Sequence, residues 1–126
     1  MLPTTHNRAY QDFITLLTKF SNFVQNSLEL ADLSAIKQEF FSLKQWFEVN
    51  IDNLNDREIE AAYIPRWQSI QREINREFRL LTTDILFLAS ARQSATKTKR
   101  LTAILDRLNK ITSYCQGIIA ENNGKE

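Results

Sequence analysis

The stretch Pro65–Gln93, PRWQSIQREINREFRLLTTDILFLASARQ, decides the fold. Trp67, Ile70, Ile74, Phe78, Leu81, Ile85 and Leu88 recur at steps of three and four residues, the spacing that lines one face of an α-helix. A continuous apolar face on so long a helix has to be buried against other helices. Two successive four-residue steps, Ile70 to Ile74 and Ile74 to Phe78, shift the seam away from a strict heptad, which favours a globular bundle over an extended coiled coil. At ~1.5 Å per residue the helix is roughly 40 Å long and sets the long dimension of the molecule.

Working outward, three more amphipathic segments flank it. Tyr10, Phe13, Leu17, Phe20 and Val24 alternate the same steps, widened by Ile14, Leu16 and Phe23, and predict a first helix from a Thr4 or Thr5 cap to about Leu28. The pattern weakens over Asn26–Asp32. Asp32 or Ser34 then caps a second helix bearing Leu33, Ile36, Phe40, Leu43 and Phe47, ending near Asn50–Asn53. The principal turn is NIDNLND, Asn50–Asp56, whose side chains compete for local backbone hydrogen bonds. Asn55 with Glu58 resembles a capping box, which predicts a helical turn or two through Tyr63, and Pro65 predicts a break or bend before the long helix. After Arg92, a cap at Ser94 or Thr96 opens a last helix carrying Leu101, Ile104, Leu108, Ile111, Cys115 and Ile118. Gly117 inside it costs ~1 kcal/mol relative to Ala, so fraying is expected nearby.

The predicted fold is therefore all-α. It is a single antiparallel up-down-up-down four-helix bundle with a long third helix, covering 1–126 with a short leader at 1–4 and a polar tail at 121–126. Composition agrees, since 126 residues suffice for one core and only 2 Gly and 2 Pro are present. No leader resembling a signal peptide and no run of ~18 apolar residues occurs, which argues for a cytoplasmic protein with no membrane role. Net charge is +1, but residues 1–63 hold 5 Lys/Arg against 9 Asp/Glu, and residues 64–126 hold 11 against 6. Solvated helix faces account for such a split, and it is also compatible with steering of a charged partner or with homo-oligomer formation.

Candidate chemistry is sparse. His6 is the only histidine and reads as an exposed polar residue near a chain end. Glu39, Glu48, Glu73 and Glu77 lack the Glu-x-x-His spacing of di-metal bundles. Cys115 sits on the seam between Ile111 and Ile118 with no neighbouring base, as a structural thiol would. Arg72, Arg76 and Arg79 are the residues a small helical mutase-type enzyme would recruit for a dianion, but their spacing places them on one face away from the seam, where solvated charge is the favoured account. No catalytic residue, cofactor or metal set is assigned.

Two features point instead to a protein partner. Arg92, Lys97, Lys99 and Arg100 cluster before the last helix, with Arg107 and Lys110 continuing along it. Nucleic acid is a minority reading, because Glu73, Glu77, Asp84 and Asp106 dilute the patch and no recognition motif is present. Several large apolar residues also fall off the seams. Leu86 and Phe87 lie toward the flank of the third helix, Phe41 lies off the second stripe, and Trp46 and Trp67 are intermediate.

The segment Leu80–Leu101, LLTTDILFLASARQSATKTKRL, resembles the cyanobacterial PatD family, through Thr83-Asp84, Phe87-Leu88, Ala91-Arg92-Gln93, Thr96 and Arg100-Leu101; the opening Met1-Leu2-Pro3 adds to the likeness. The resemblance implies a non-enzymatic regulator of heterocyst frequency that contacts the tubulin-like division protein FtsZ and affects its assembly. It supplies no residue-level binding site. The surface features suggest one, with Leu86 and Phe87 as an anchor and Arg92, Lys97, Lys99 and Arg100 as a basic rim. A helical interaction module with another partner is the alternative.

Overall fold

The computed structural model describes residues 2–27 and 33–123. Four helices form an antiparallel bundle: α1 (Thr4–Ser27), α2 (Leu33–Asn50), α3 (Ile64–Ser90) and α4 (Ser94–Asn123). Each packs on its two neighbours around the square, α1 on α2 and α4, and α3 on the same two. α3 has 27 residues, as its apolar periodicity demands, but α4, with 30, is longer still.

The core follows the seams. Phe13, Leu17, Phe20, Phe40, Leu43, Phe47, Ile70, Ile74, Leu81, Ile85, Ile104, Leu108 and Ile111 are all buried. Aromatic rings dominate the α1–α2–α3 side, where Phe78 meets Phe13, Phe40 and Phe47. Aliphatic side chains and Cys115 fill the α4 side. Trp67 is buried at 5% exposure, whereas Trp46 is half-buried and stacks on Phe13.

Helix ends depart from expectation where backbone or tertiary contacts replace side-chain caps. Asn7 N–H donates to the Pro3 carbonyl at 3.1 Å, so Pro3 opens α1, and Thr4 and Thr5 lie inside it. Of the expected leader, Leu2 is buried in the core, and Met1 lies outside the described residues. Ser34 lies within the first turn of α2, while Asp32 and the weakened stretch from Leu28 fall outside the described residues. Pro65 occupies the first turn of α3, where its missing N–H has no partner to lose.

The expected helical turns over Glu58–Tyr63 do not form as a helix. Residues 51–63 are a chain of turns, and Asn55 Oδ1 accepts from Arg57 N–H at 3.1 Å in an Asx turn rather than a capping box. Ile51, Ile59 and Tyr63 are buried from this segment, so it closes one end of the bundle. Packing outweighs local helix preference here.

Nor does α4 fray at Gly117. Ile118 beyond it is fully buried, and Glu121 accepts from Arg66 at 2.5 Å and from the Tyr63 hydroxyl at 3.1 Å, so part of the expected polar tail is docked against α3. Residues 124–126 lie outside the described residues.

Two substitutions test this packing by thermal or urea unfolding. Leu81 is wholly buried, and Leu81→Ala should destabilise by ~2 to 5 kcal/mol through the cavity it leaves. A Cβ added at Gly117 meets nothing within 4 Å, so Gly117→Ala should stabilise by up to ~1 kcal/mol.

Candidate functional site

α3 carries a different surface on each flank. Leu86, 55% exposed, faces the α2 side and lines a groove together with Phe41, 59% exposed, from α2. Phe87 is one residue on, and successive residues of a helix diverge by about 100°. Its ring, 47% exposed, lies toward α4, where the Arg100 guanidinium sits 4.8 Å from the ring centroid in a cation–π contact. The six residues expected to form one partner surface are thus divided. Phe87 and Arg100 are in contact, and Leu86 belongs to another face.

The basic residues gather at the turn into α4. Ala91 is extended (φ −71°, ψ 133°) and its N–H donates to the Leu88 carbonyl at 3.1 Å, which ends α3. Lys97 N–H donates to the Gln93 carbonyl at 2.9 Å, which opens α4. Arg92 and Lys99 are exposed, Lys97 and Arg100 half-buried, and no acid stands in the first turn of α4. The negative end of α3 and the positive end of α4 meet at this turn, so the positive charge of the corner comes from these side chains.

The cations further along α4 are different. Glu77, whose side chain is 1% exposed, is held by Arg107 Nη1 at 2.7 Å, Lys110 Nζ at 3.1 Å and Arg76 Nη1 at 3.5 Å. Arg107 Nε also donates to Asp84 Oδ2 at 2.6 Å. Glu77 and Asp84 therefore do not dilute a surface patch, and Arg107 and Lys110 do not extend one. All four tie α3 to α4. Burial alone pushes the Glu77 carboxyl up, but the hydrogen bonds and charges of Lys110 and Arg107 outweigh it and hold it below the usual carboxylate range.

Nor is His6 the exposed residue expected near a chain end. It is buried at 6% exposure, with Nε2 2.7 Å from the Asn55 carbonyl and its ring edge-on to Trp67. A carbonyl can only accept, so Nε2 carries the proton. Beside it, Trp67 Nε1–H donates to the Tyr10 hydroxyl at 2.8 Å, Tyr10 to Gln71 Oε1 at 2.6 Å, and Gln71 Nε2 to the Ile51 carbonyl at 2.7 Å. This buried chain pins α1, α3 and the 51–63 segment together. Burial pushes the Tyr10 hydroxyl above its ordinary range, so it stays protonated and keeps donating.

Cys115 is fully buried, and burial pushes its thiol up to about 12, so it has little thiolate character. Arg72, Arg76 and Arg79 are exposed, and they line the outer side of the α2–α3 seam with Lys44. Among the described residues no group of three or more His, Cys, Asp or Glu is arranged to hold a metal ion, and no helix is long and apolar enough to cross a membrane. The chain matches no family model, no curated protein and no solved structure.

The Glu77 network has a pH signature. Its folded carboxyl titrates below the unfolded one, so its contribution is complete above the unfolded value of about 4.3 and is lost as pH falls through the lower folded value. Glu77→Gln should cost about 1 to 2 kcal/mol at neutral pH, because half-buried Arg107 and exposed Lys110 lose a counter-charge, although Arg107 keeps Asp84. Between about pH 5 and pH 3 the wild-type melting temperature should fall more steeply than that of Glu77→Gln, as measured by calorimetry.

Proposed function

We propose that the chain is a cytoplasmic, non-enzymatic regulator of heterocyst frequency in a cyanobacterium, and that it binds FtsZ through the α3–α4 corner and modulates its assembly. The likeness of Leu80–Leu101 to the PatD family supports the regulatory role and the partner. The contact of Arg100 with the exposed Phe87 ring is the observation that favours the place. It sets a large apolar side chain against Arg100, and Arg92, Lys97 and Lys99 follow in the same stretch of chain as the basic rim. Such a pairing suits an acidic protein surface with an apolar recess, the rim steering the encounter and the ring anchoring the complex.

Nucleic acid suits the corner less well. Arg107 and Lys110 would be needed to continue a phosphate-tracking stripe along α4, and both are neutralised by Glu77 and Asp84. An exposed aromatic ring capped by one guanidinium is a protein anchor before it is a phosphate contact.

Sedimentation of purified FtsZ polymer with and without the protein tests the reading. The amount of pelleted polymer should change, and Phe87→Ala should speed dissociation by about tenfold or more while leaving the fold intact. Reversing charge at Lys97, Lys99 and Arg100 should instead slow association and weaken its dependence on salt. No recovery of FtsZ and no change in pelleted polymer would leave a helical interaction module for a different acidic partner.

A further inference from the structure

A second surface lies on the opposite flank of α3. The α2–α3 seam is the loosest of the four, and two cavities of about 720 and 670 Å³ open along its outer side. Both are lined by Lys44 and Thr82, so they form one trough. It runs from Asp52 and Ser69 at one end to Ser34 and Leu86 at the other. From Ser69 to Leu86 along α3 is about 26 Å, the length of roughly five helical turns.

The trough is apolar at its floor and at one end. Phe40, Phe47 and Phe78 form the floor, and Phe41 and Leu86 rise from opposite helices with 59% and 55% of their surfaces exposed. Neither is covered by any described part of the chain. An apolar trough of this length fits the apolar face of a helix laid along it.

Charge selects the occupant. Among the charged residues lining the trough, Lys44 pairs with Glu48, and Arg76 pairs with Glu73 and Glu77. Lys37, Arg72 and Arg79 make no ion pair among the described residues, whereas of the three lining acids Glu48 and Glu73 are paired and Asp52 alone, at one end, is not. The uncompensated charge is positive. A second copy of this chain is disfavoured, since a two-fold interface would set these cations against their own counterparts.

We infer that the α2–α3 groove is a docking site for an acidic amphipathic helix of a partner protein, whose apolar face lies between Phe41 and Leu86 and whose carboxylates meet Lys37, Arg72 and Arg79. This surface is separate from the α3–α4 corner and does not depend on the FtsZ reading.

The test titrates a synthetic helix of about 18 residues into the isotope-labelled full chain, followed by amide resonances. The peptide carries Leu at i, i+3, i+4 and i+7 spacing with Glu on both flanks, and a counterpart carries Lys in place of Glu. The Glu peptide should shift amides of residues 37–44 and 72–86 and bind at least about tenfold more tightly than the Lys peptide. Phe41→Ser with Leu86→Ser should weaken it by about tenfold or more, and Arg72→Glu with Arg79→Glu should reverse the preference. These side chains are exposed, so the variants keep the fold, which circular dichroism verifies. Equal or tighter binding of the Lys peptide overturns the inference, as do shifts confined to other faces. Self-association of the protein alone that Phe41→Ser abolishes overturns it too, by making the groove an interface between copies.

Discussion

The ring of Phe78 lies flat on that of Phe47, with centroids 4.0 Å apart and planes 4° from parallel, while Phe40 stacks at 5.6 Å and Phe13 closes at 6.1 Å. Each such pair contributes about 0.5 to 1.5 kcal/mol beyond area burial, and each fixes a distance as well as an energy. Rings stacked between α2 and α3 act as spacers that keep the two backbones from closing as tightly as the aliphatic seams do. The groove on the outer side of that seam follows from this spacing. A smaller residue at position 78 would therefore alter the groove and the core together.

The opposite side of α3 is held by charge rather than rings. Glu77, Asp84, Arg107 and Lys110 bind α3 to α4 through charge-assisted hydrogen bonds, one of the acids almost wholly desolvated. A buried pair of this kind adds little net stability over a well-packed apolar substitute, but breaking it is costly, and a one-turn slip of α4 along α3 would break it. Such a network suits the fixing of register between two long helices whose aliphatic seam tolerates sliding. The Trp67–Tyr10–Gln71 chain does the same at the other end of the bundle, where it locks the 51–63 segment across the helices.

The helices and core were legible in the sequence because periodicity is a local signal with long repetition. Ile70, Ile74, Leu81 and Ile85 could hardly be elsewhere than inside. What escaped were the polar contacts between residues distant in the chain. His6 meets Asn55 49 positions away and Glu77 meets Arg107 30 positions away, so each looks like an ordinary surface residue on its own. A weaker clue was present. Glu77 and Asp84 are seven apart on one edge of the α3 stripe, and Arg107 and Lys110 are three apart on α4, a spacing that allows two facing clusters. At Gly117 and Asn55, local propensity gave the wrong sense because tertiary packing outweighs it. Exposure of Leu86 and Phe87 could be anticipated from the stripe, but their separation onto different flanks depended on where α2 and α4 sit.

That separation gives α3 the character of a bracket. Side chains at 86 and 87 project about a third of a turn apart from one stiff rod, and the rod is anchored on one side by rings and on the other by salt bridges. Two bodies held one on each flank would keep a constant mutual orientation, with no hinge between their seats. Neither seat would need to change shape for the first occupant to dictate the direction in which the second points.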